Sequence, residues 1–566
     1  MQFSCDDVQV EVDVAPGESL LSVLRERLGV TSPKDGCSPQ GQCGCCTVLV
    51  DGEPRVACVT PATRIDGRAV TTVDGLDAST RDRLVDGFVA AGGSQCGFCT
   101  PGILVRLAAA EAKGKTRRVD LDRALAAHLC RCTGWQTVYE ATDPALVRRP
   151  ASRSTDAGAR RAELEGGVGQ RVGGAIPLGA GGFADDTAPR DALVAVPLPP
   201  GSLAPSVEAA GMHWVVAESL LVARAVAGQV QGRRTTVDPV APLPLPAAIA
   251  GGVRLATGWV EPAYLEPDAS WCVPGGEPAS PLANGGAFGG KATSPVAAAA
   301  RELAASTGRT VRVVYSREDV VRLGPKRPPI AARARYEAGV VEVRGAVAGE
   351  VAPFVAPVEW PYAIEEVGEW TSAPVPGPHT SSALRAVGLA ERALLLEGAL
   401  HVADVRRASI LRDERAAGVL LDSCVAVPSG ALAGARVHVD DQGRIGRVTV
   451  RVAGGDPLDD VVLRSYVIGA AHMALGWVLS EGIAVDPVSG EVHDLTIRSF
   501  GVVRAKDTPP IDVEIVDDPG APRARASDAA FAAVAAAVWN AISDAEGARP
   551  EAFPARGTRA ARALRR

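Results

Sequence analysis

Apolar and polar positions alternate through VQVEVDV, residues 8–14, with the two-residue period of a half-buried strand, and the preceding MQFSC completes a strand pair. ESLLSVLRERL, residues 18–28, spaces its apolar side chains as a helix does, and Gly29 ends it. TVLVDGEPRVACV, residues 47–59, reads as a hairpin turning at Asp51-Gly52 that delivers Cys58 from a strand. Residues 81–127 alternate helical stretches with glycine-rich breaks. Periodicity then stops: Arg148, Arg149, Pro150 and the polar run to Ala159 predict a tether, with a linker over 148–172. Beyond it, β-rich segments with Pro and Gly turns are interrupted by Ala-rich helices, and no internal repeat is evident. The longest apolar run, 529–542, is broken by Asn540 and predicts a buried helix. No run approaches the roughly 18 residues expected of a membrane span.

Composition narrows the picture. A chain of 566 residues is expected to hold three or more domains. Its 61 Gly and 42 Pro stay below the share expected of a disordered chain. A net charge of −7 argues against nucleic acid or an anionic membrane as partner. The basic end, residues 556–566, is expected to be a solvated, frayed tail.

The chemistry lies in the cysteines. Nine of twelve fall between positions 37 and 132, in CSPQGQCGCC, at Cys58, in QCGFCTPG and in LCRCTGW. Disulfides are disfavoured because the N-terminus reads as a strand pair and not as a secretory leader. Zinc would come as compact pairs, often with histidine, and His128 alone is near. Iron–sulfur chemistry fits best. A [2Fe–2S] cluster takes four thiolates, three from one tight loop and one from further on in the plant-type pattern. Cys37, Cys43 and Cys46 sit in such a loop with Cys58 completing the set, although the first gap is one residue longer than in that pattern. Cys96, Cys99, Cys130 and Cys132 form the second set, two short bites suited to helix ends. The spacing from Cys43 and the following Thr47-Val48 favour Cys46 over Cys45, which reads as a packed thiol.

DGCSPQGQCGCCTVLVDG, QCGFCTPGILV and LCRCTGWQTVYEA resemble the iron–sulfur subunit of the xanthine dehydrogenase/aldehyde oxidase family, the molybdenum hydroxylases. The resemblance covers nearly all of residues 1–147. It implies an α+β multidomain protein: a β-grasp [2Fe–2S] ferredoxin domain over 1–76, a four-helix [2Fe–2S]-binding domain over 77–147, then, after the linker, a shortened α/β molybdopterin-binding-like region over 173–566. It also implies that Gln95 lies beside the pterin of a molybdenum cofactor. In the second half the resemblance is patchy: GGFADDTAPRDALVAVPLP, YLEPDASWCVP and NGGAFGGKATSPVAAAARELAASTGRTVRVVYSRED resemble the large molybdenum-binding subunit, as do residues 468–502 and AVWNAISDAEGARPEAFP. The third patch implies a glycine-rich molybdopterin loop whose cofactor-binding residues are Gly285, Gly286, Phe288, Gly289, Gly290 and Lys291. A phosphate-binding P-loop is its rival, one residue short because Ala292 stands at the Ser/Thr position; a structural turn is the third reading.

The departures bear equally on function. The large-subunit region is much shorter than the family's, and the stretch after Val405 lacks its largest piece. The family's glutamine–glycine loops are not visible between 402 and 436. Where the family has a glutamate in G-x-G-E as base, the corresponding residue is Asp528 in RARASDAAF, one methylene shorter and without flanking glycines. It reads either as the catalytic base or as a helix N-cap. The remaining histidines, among them His213, His379, His401 and His472, form no ligand spacing.

Three functions follow as expectations. The first is a cytoplasmic iron–sulfur oxidoreductase that relays electrons through two [2Fe–2S] clusters to a partner. That partner carries FAD, since the chain shows no flavin domain, and the molybdopterin-binding-like half is degenerate. The second is an active molybdenum hydroxylase oxidising an aldehyde or N-heterocycle, with molybdopterin retained. The third is a non-redox nucleotide-binding protein using the 285–291 loop. A molybdenum-binding subunit or self-association is the alternative partner; neither nucleic acid nor membrane is expected.

Overall fold

The computed structural model describes residues 1–143, 145, 154–228, 237–280, 286, 289–355 and 358–564. Strands β1 (Gln2–Cys5) and β2 (Val8–Glu11) form the expected pair, turning through Asp6 and Asp7. They join β3 (Thr47–Val50), β4 (Glu53–Val56) and β5 (Ala69–Thr71) in a mixed sheet ordered β2-β1-β5-β3-β4. Asp51 and Gly52 both hold positive φ, 49° and 76°, as the Asp-Gly hairpin signal requires. The 18–28 segment is α-helical only over Leu20–Ser22 and continues as a π-helix over Val23–Leu28. Cys58 does not come from a strand: it lies on a 3-10 turn, Ala57–Val59, just past β4. This is the β-grasp ferredoxin fold.

Four helices follow: α1 (Ala78–Ala91), α2 (Thr100–Glu111), α3 (Arg118–Ala124) and α4 (Gln136–Glu140). The linker expectation then needs correction. Residues 148–153 lie outside the described residues, but Thr155–Gly166 forms a helix, α5, which Ser154 caps and Gly167 ends at φ 84°. Its side chains Arg161 and Glu165 are fully buried and paired with each other. Charged residues facing inward give no hydrophobic periodicity, so the sequence pattern read as a tether.

The second half holds three more sheets. The first joins β6 (Leu193–Pro197), β7 (Val207–Ala209), β8 (Met212–Ala217), β10 (Ala269–Cys272) and β11 (Val311–Val314) in the order β10-β11-β6-β8-β7. Helix α6 (Val296–Thr307) covers it, and α7 (Arg317–Leu323) follows β11. The next is ordered β14-β13-β12-β9-β19, from β9 (Gly252–Thr257), β12 (Ile330–Glu337), β13 (Val340–Val347), β14 (Glu365–Ser372) and β19 (Ala552–Phe553). The last runs β15 (Ser423–Ala426), β16 (Leu432–Val439), β17 (Ile445–Ala453), β18 (Ile511–Ile515).

Helices α8 (Arg385–Val402), α9 (Asp460–Leu479) and α10 (Ala526–Glu546) pack between these sheets, with Trp477 stacked on Phe531 at 5.7 Å. By length and composition α9 and α10 could each cross a membrane, contrary to the expectation that no apolar run is long enough. Both are mostly buried, as core helices of a large domain are. The basic end is also not frayed: Arg556 bonds Asp238 and the Ser480 carbonyl, and Ala560 and Ala561 are buried in a terminal helix, Arg559–Ala563.

Helix α9 fixes how the halves meet. A Cβ on Gly469 would come within 1.9 Å of the Cys132 carbonyl, and one on Gly134 would meet Ile468 at 2.8 Å. Glycine at 469 therefore lets the core helix lie directly against the second cysteine loop.

Candidate iron–sulfur and cofactor sites

The first cysteine loop is closed by glycines that leave no room for a side chain. A Cβ on Gly36 would lie 3.1 Å from Cys43 Sγ and 3.2 Å from Cys45 Sγ, and one on Gly44 would lie 2.6 Å from the His128 ring. Cys37, Cys43, Cys46 and Cys58 are all buried and brought together. Hydrogen bonds from the Cys43 and Cys58 thiols hold Cys37 well below the usual thiol range. Cys58 is pushed up by its thiol bonds to Cys37 and Cys46 and then by burial. The Cys58 N–H also donates to Cys46 Sγ at 3.4 Å. Cys45 is equally buried, and its thiol meets Cys43 and not Cys58. The ring of thiols thus closes through Cys46.

The second set comes from two segments. Cys99 is the residue from which α2 starts, and Cys130 and Cys132 lie in the loop before α4. Cys96 Sγ stands 3.7 Å from Cys132 Sγ, and Cys130 is held well below the usual thiol range by hydrogen bonds from Cys132 and Cys99. Among the described residues no group of three or more His, Cys, Asp or Glu converges as the ligands of a single metal ion would. Two sets of four soft thiols, all buried except the half-buried Cys96 and without histidine or carboxylate, fit the donor chemistry of a dinuclear iron–sulfur cluster.

The two sets touch through backbone. A Cβ on Gly102, in α2, would meet the Gly44 carbonyl at 2.3 Å, and the Leu129 N–H donates to the Cys43 carbonyl at 2.9 Å. His128 contacts Thr47 Oγ1 at 3.2 Å, and its basicity is lowered to about 4, chiefly by burial.

Gln95 is buried, and its amide donates to the Cys132 carbonyl at 2.8 Å and to Ser465 Oγ at 3.1 Å. The cavity beside it measures about 30 Å³, against the several hundred a cofactor-sized ligand needs. Gly285 and Phe288 lie outside the described residues. Gly286 and Gly289 both hold positive φ, and they pack against protein: their added Cβ atoms would meet Arg131 at 2.4 Å and the Ala383 carbonyl at 2.1 Å. Gly290 is buried beside them. Lys291 is 2% exposed and pairs with Glu266 Oε2 at 2.6 Å, so its charge is already met. Gly286 thus rests on Arg131 of the second cysteine loop, and Lys291 is already paired, against the P-loop expectation.

Asp528 is not a helix N-cap. Arg525 holds that position with φ 64°, and Asp528 lies in the first turn of α10. Its Oδ2 pairs with Arg385 at 2.8 Å, and burial raises its pKa to about 6. Glu165 supplies what a cap would: its Oε2 accepts the Ser527 N–H at 2.7 Å. Sequence reasoning missed this carboxylate because it arrives from 362 residues away.

A cavity of about 890 Å³ lies elsewhere, beyond Ala91 and Arg464 and beneath residues 512–520. Glu140, Asp456, Asp460, Asp512, Asp517 and Asp518 line it with Arg464, and Glu140, Asp512 and Asp518 are paired with arginines. None of the expected cofactor residues reaches it.

A β-grasp ferredoxin module, a helical thiol-bearing module and an α/β body define an iron–sulfur oxidoreductase. Residues 3–72 match the 2Fe-2S iron-sulfur cluster binding domain, 72–143 the [2Fe-2S] binding domain, and 281–343 the molybdopterin cofactor-binding domain. The nicotinate dehydrogenase small FeS subunit of Eubacterium barkeri is 37% identical over 135 residues, 24% of this chain and 85% of that protein. The xanthine dehydrogenase iron-sulfur-binding subunit of Escherichia coli O157:H7 is 36% identical over 142 residues, 24% of this chain and 88% of that protein. The chain belongs to the xanthine dehydrogenase/aldehyde oxidoreductase family of molybdenum hydroxylases. In fold it is similar to the aldehyde oxidoreductase of Desulfovibrio desulfuricans, with a TM-score of 0.73 at 16% identity and 99% coverage of both chains.

Proposed function

We propose that this chain is an electron-transfer member of its family. In this reading Cys37, Cys43, Cys46 and Cys58 hold one [2Fe–2S] cluster, and Cys96, Cys99, Cys130 and Cys132 hold a second. Electrons pass along the contact between Gly44 and Gly102 towards a flavin carried by a separate subunit in the cytoplasm. The second half is a degenerate molybdopterin domain that serves as scaffold.

One observation carries the reading: the groups that would grip a molybdenum cofactor are spent on the protein itself. Lys291 neutralises Glu266, Gln95 holds the Cys132 carbonyl, and Arg385 neutralises Asp528. A cavity of about 30 Å³ at Gln95 admits a water and not a pterin. The residues present do not fit that cofactor.

A second reading is favoured by the molybdopterin-domain match over 281–343 and by Asp528, whose carboxyl is buried with Oδ1 unpaired. There the halves separate to admit the cofactor, and Asp528 acts as base. Metal analysis decides. Chain purified from a host that makes molybdopterin cytosine dinucleotide is expected to carry four irons and no molybdenum. Stoichiometric molybdenum, with aldehyde turnover that vanishes in Asp528→Ala, would establish the second reading, and absence of iron would end both.

A further inference from the structure

Two buried arginines lie against the cysteine loops, and only one of them has a direct counter-charge, while the half-buried Arg224 and Arg498 reach the first loop at Ser38 and at the Gln42 carbonyl. Arg131 stands between Cys130 and Cys132 and is 4% exposed. Its guanidinium makes a two-pronged bond to Glu481, at 2.5 and 2.8 Å, and its Nε donates to the Pro262 carbonyl. Glu481, just past the end of α9, is buried too. A Cβ on Gly476 would meet its carboxylate at 2.1 Å, so the chain makes room for that side chain. His472 and Tyr466, on the same helix, are also buried, and His472 Nε2 lies 3.1 Å from the Val503 carbonyl.

Arg317, the first residue of α7, is fully buried against the other loop. Its Nε and Nη2 donate to the Gly36 carbonyl at 3.1 and 3.0 Å, and Nη2 also donates to the Leu265 carbonyl. Its Nη1 has no hydrogen-bond partner, and among the described residues no carboxylate lies within ion-pair distance of it. Gly36 in turn touches Cys43 and Cys45. A buried guanidinium without a direct ion-pair partner therefore sits one peptide away from the first thiol ring, while the guanidinium at the second ring is paired.

We propose that the second half of the chain sets the order in which the clusters accept electrons, Arg317 raising the reduction potential of the first and Glu481 holding down that of the second. The inference rests on the assignment of the eight cysteines to two clusters. Each cluster gains one electron, and so one negative charge, on reduction. An unneutralised guanidinium in a low-dielectric site favours the reduced form, and a carboxylate opposes it. An electron arriving at the second cluster then moves downhill to the first, which becomes reduced as the second is reoxidised. Arg317 and Glu481 are positioning residues for potential, since neither touches a thiol. On this view the large half is kept because it supplies these two charges.

The test is a mediated redox titration of the full chain carrying both clusters, followed by the paramagnetic signals of the reduced forms. A Cys132→Ser variant identifies the second signal. In the parent the first cluster is expected to reduce at the higher potential. Glu481→Gln should shift the reduced-to-oxidised ratio of the second cluster at least tenfold towards reduced, about 59 mV for one electron, and leave the first in place. Arg317→Gln should shift the first cluster tenfold the other way and spare the second. Glu481→Asp keeps the charge and should keep the potential, whereas a merely structural role would move both Glu481 variants alike. Shifts of the same sign in both variants, or none, would overturn the inference even with four irons bound. A chain without iron would instead overturn the cluster assignment. Should Glu481→Gln lose its cluster, Arg317→Gln decides alone.

Discussion

Lys291→Met separates a structural lysine from a cofactor-binding one. Lys291 and Glu266 are both buried, with Nζ 2.6 Å from Oε2. Burial raises the Glu266 pKa from 4.5 to about 7, and Lys291 offsets part of that rise. A carboxyl with a raised native pKa contributes stability that is present below its unfolded value and lost as pH climbs through the folded one. In the parent that loss falls between about pH 4.5 and 7. Removing the ammonium pushes the carboxyl pKa higher, so the loss continues beyond pH 7. Near pH 5, where Glu266 is protonated in both, the parent keeps a buried ammonium without a carboxylate partner, so the variant should be at least as stable as the parent there. Above pH 7 they should diverge by about 1.4 kcal/mol per pH unit. The difference should level off at about 3–5 kcal/mol, the cost of stranding one member of a buried pair. The measurement is the urea unfolding midpoint at pH 5, 7 and 9, with Lys291→Met/Glu266→Gln as control, which should flatten the pH dependence. An equal loss at pH 5 and 9 would refute the reasoning. So would unchanged stability accompanied by loss of a bound pterin.

Two further outcomes are expected. Cys46→Ala should lower iron from four to two per chain while Cys45→Ala keeps four, because the Cys58 N–H and thiol both meet Cys46; iron counts the other way round would move the ligand to Cys45. Gly44→Ala should cost about 1–2 kcal/mol for a left-handed backbone and about 1–3 kcal/mol for the clash with His128, seen as a lower thermal midpoint and loss of the first cluster's signal alone.

Much of the first 143 residues was legible because their constraints are local. Thiol ligands at short spacing, glycines at positive φ and an Asp-Gly hairpin are each fixed by neighbours a few positions away. The departures there are equally local: Cys58 sits on a 3-10 turn because β4 ends at Val56, and the 18–28 helix widens into a π turn. Elsewhere the reading failed where charge replaced hydrophobicity as the buried component. Helix α5 escaped notice because its inward face carries Arg161 and Glu165. For Asp528 the N-cap alternative fails because the residue that satisfies the α10 N-terminus, Glu165, comes from another segment.

By itself, then, the sequence determined two four-thiol sets, which rest on residue types at fixed spacing, while the ferredoxin module, the helices after it and the body related to molybdenum-binding subunits were implied by resemblance to the family. Tertiary structure decided what the remaining polar groups do. A lysine, an aspartate or a glutamine that could grip a cofactor looks the same in sequence as one that pairs internally. Only the fold brings Glu266 to Lys291, Arg385 to Asp528, Glu481 to Arg131 and Gly36 to Arg317. These partners stand 25 to 350 residues apart, and the energy of a buried charge depends on which of them arrives.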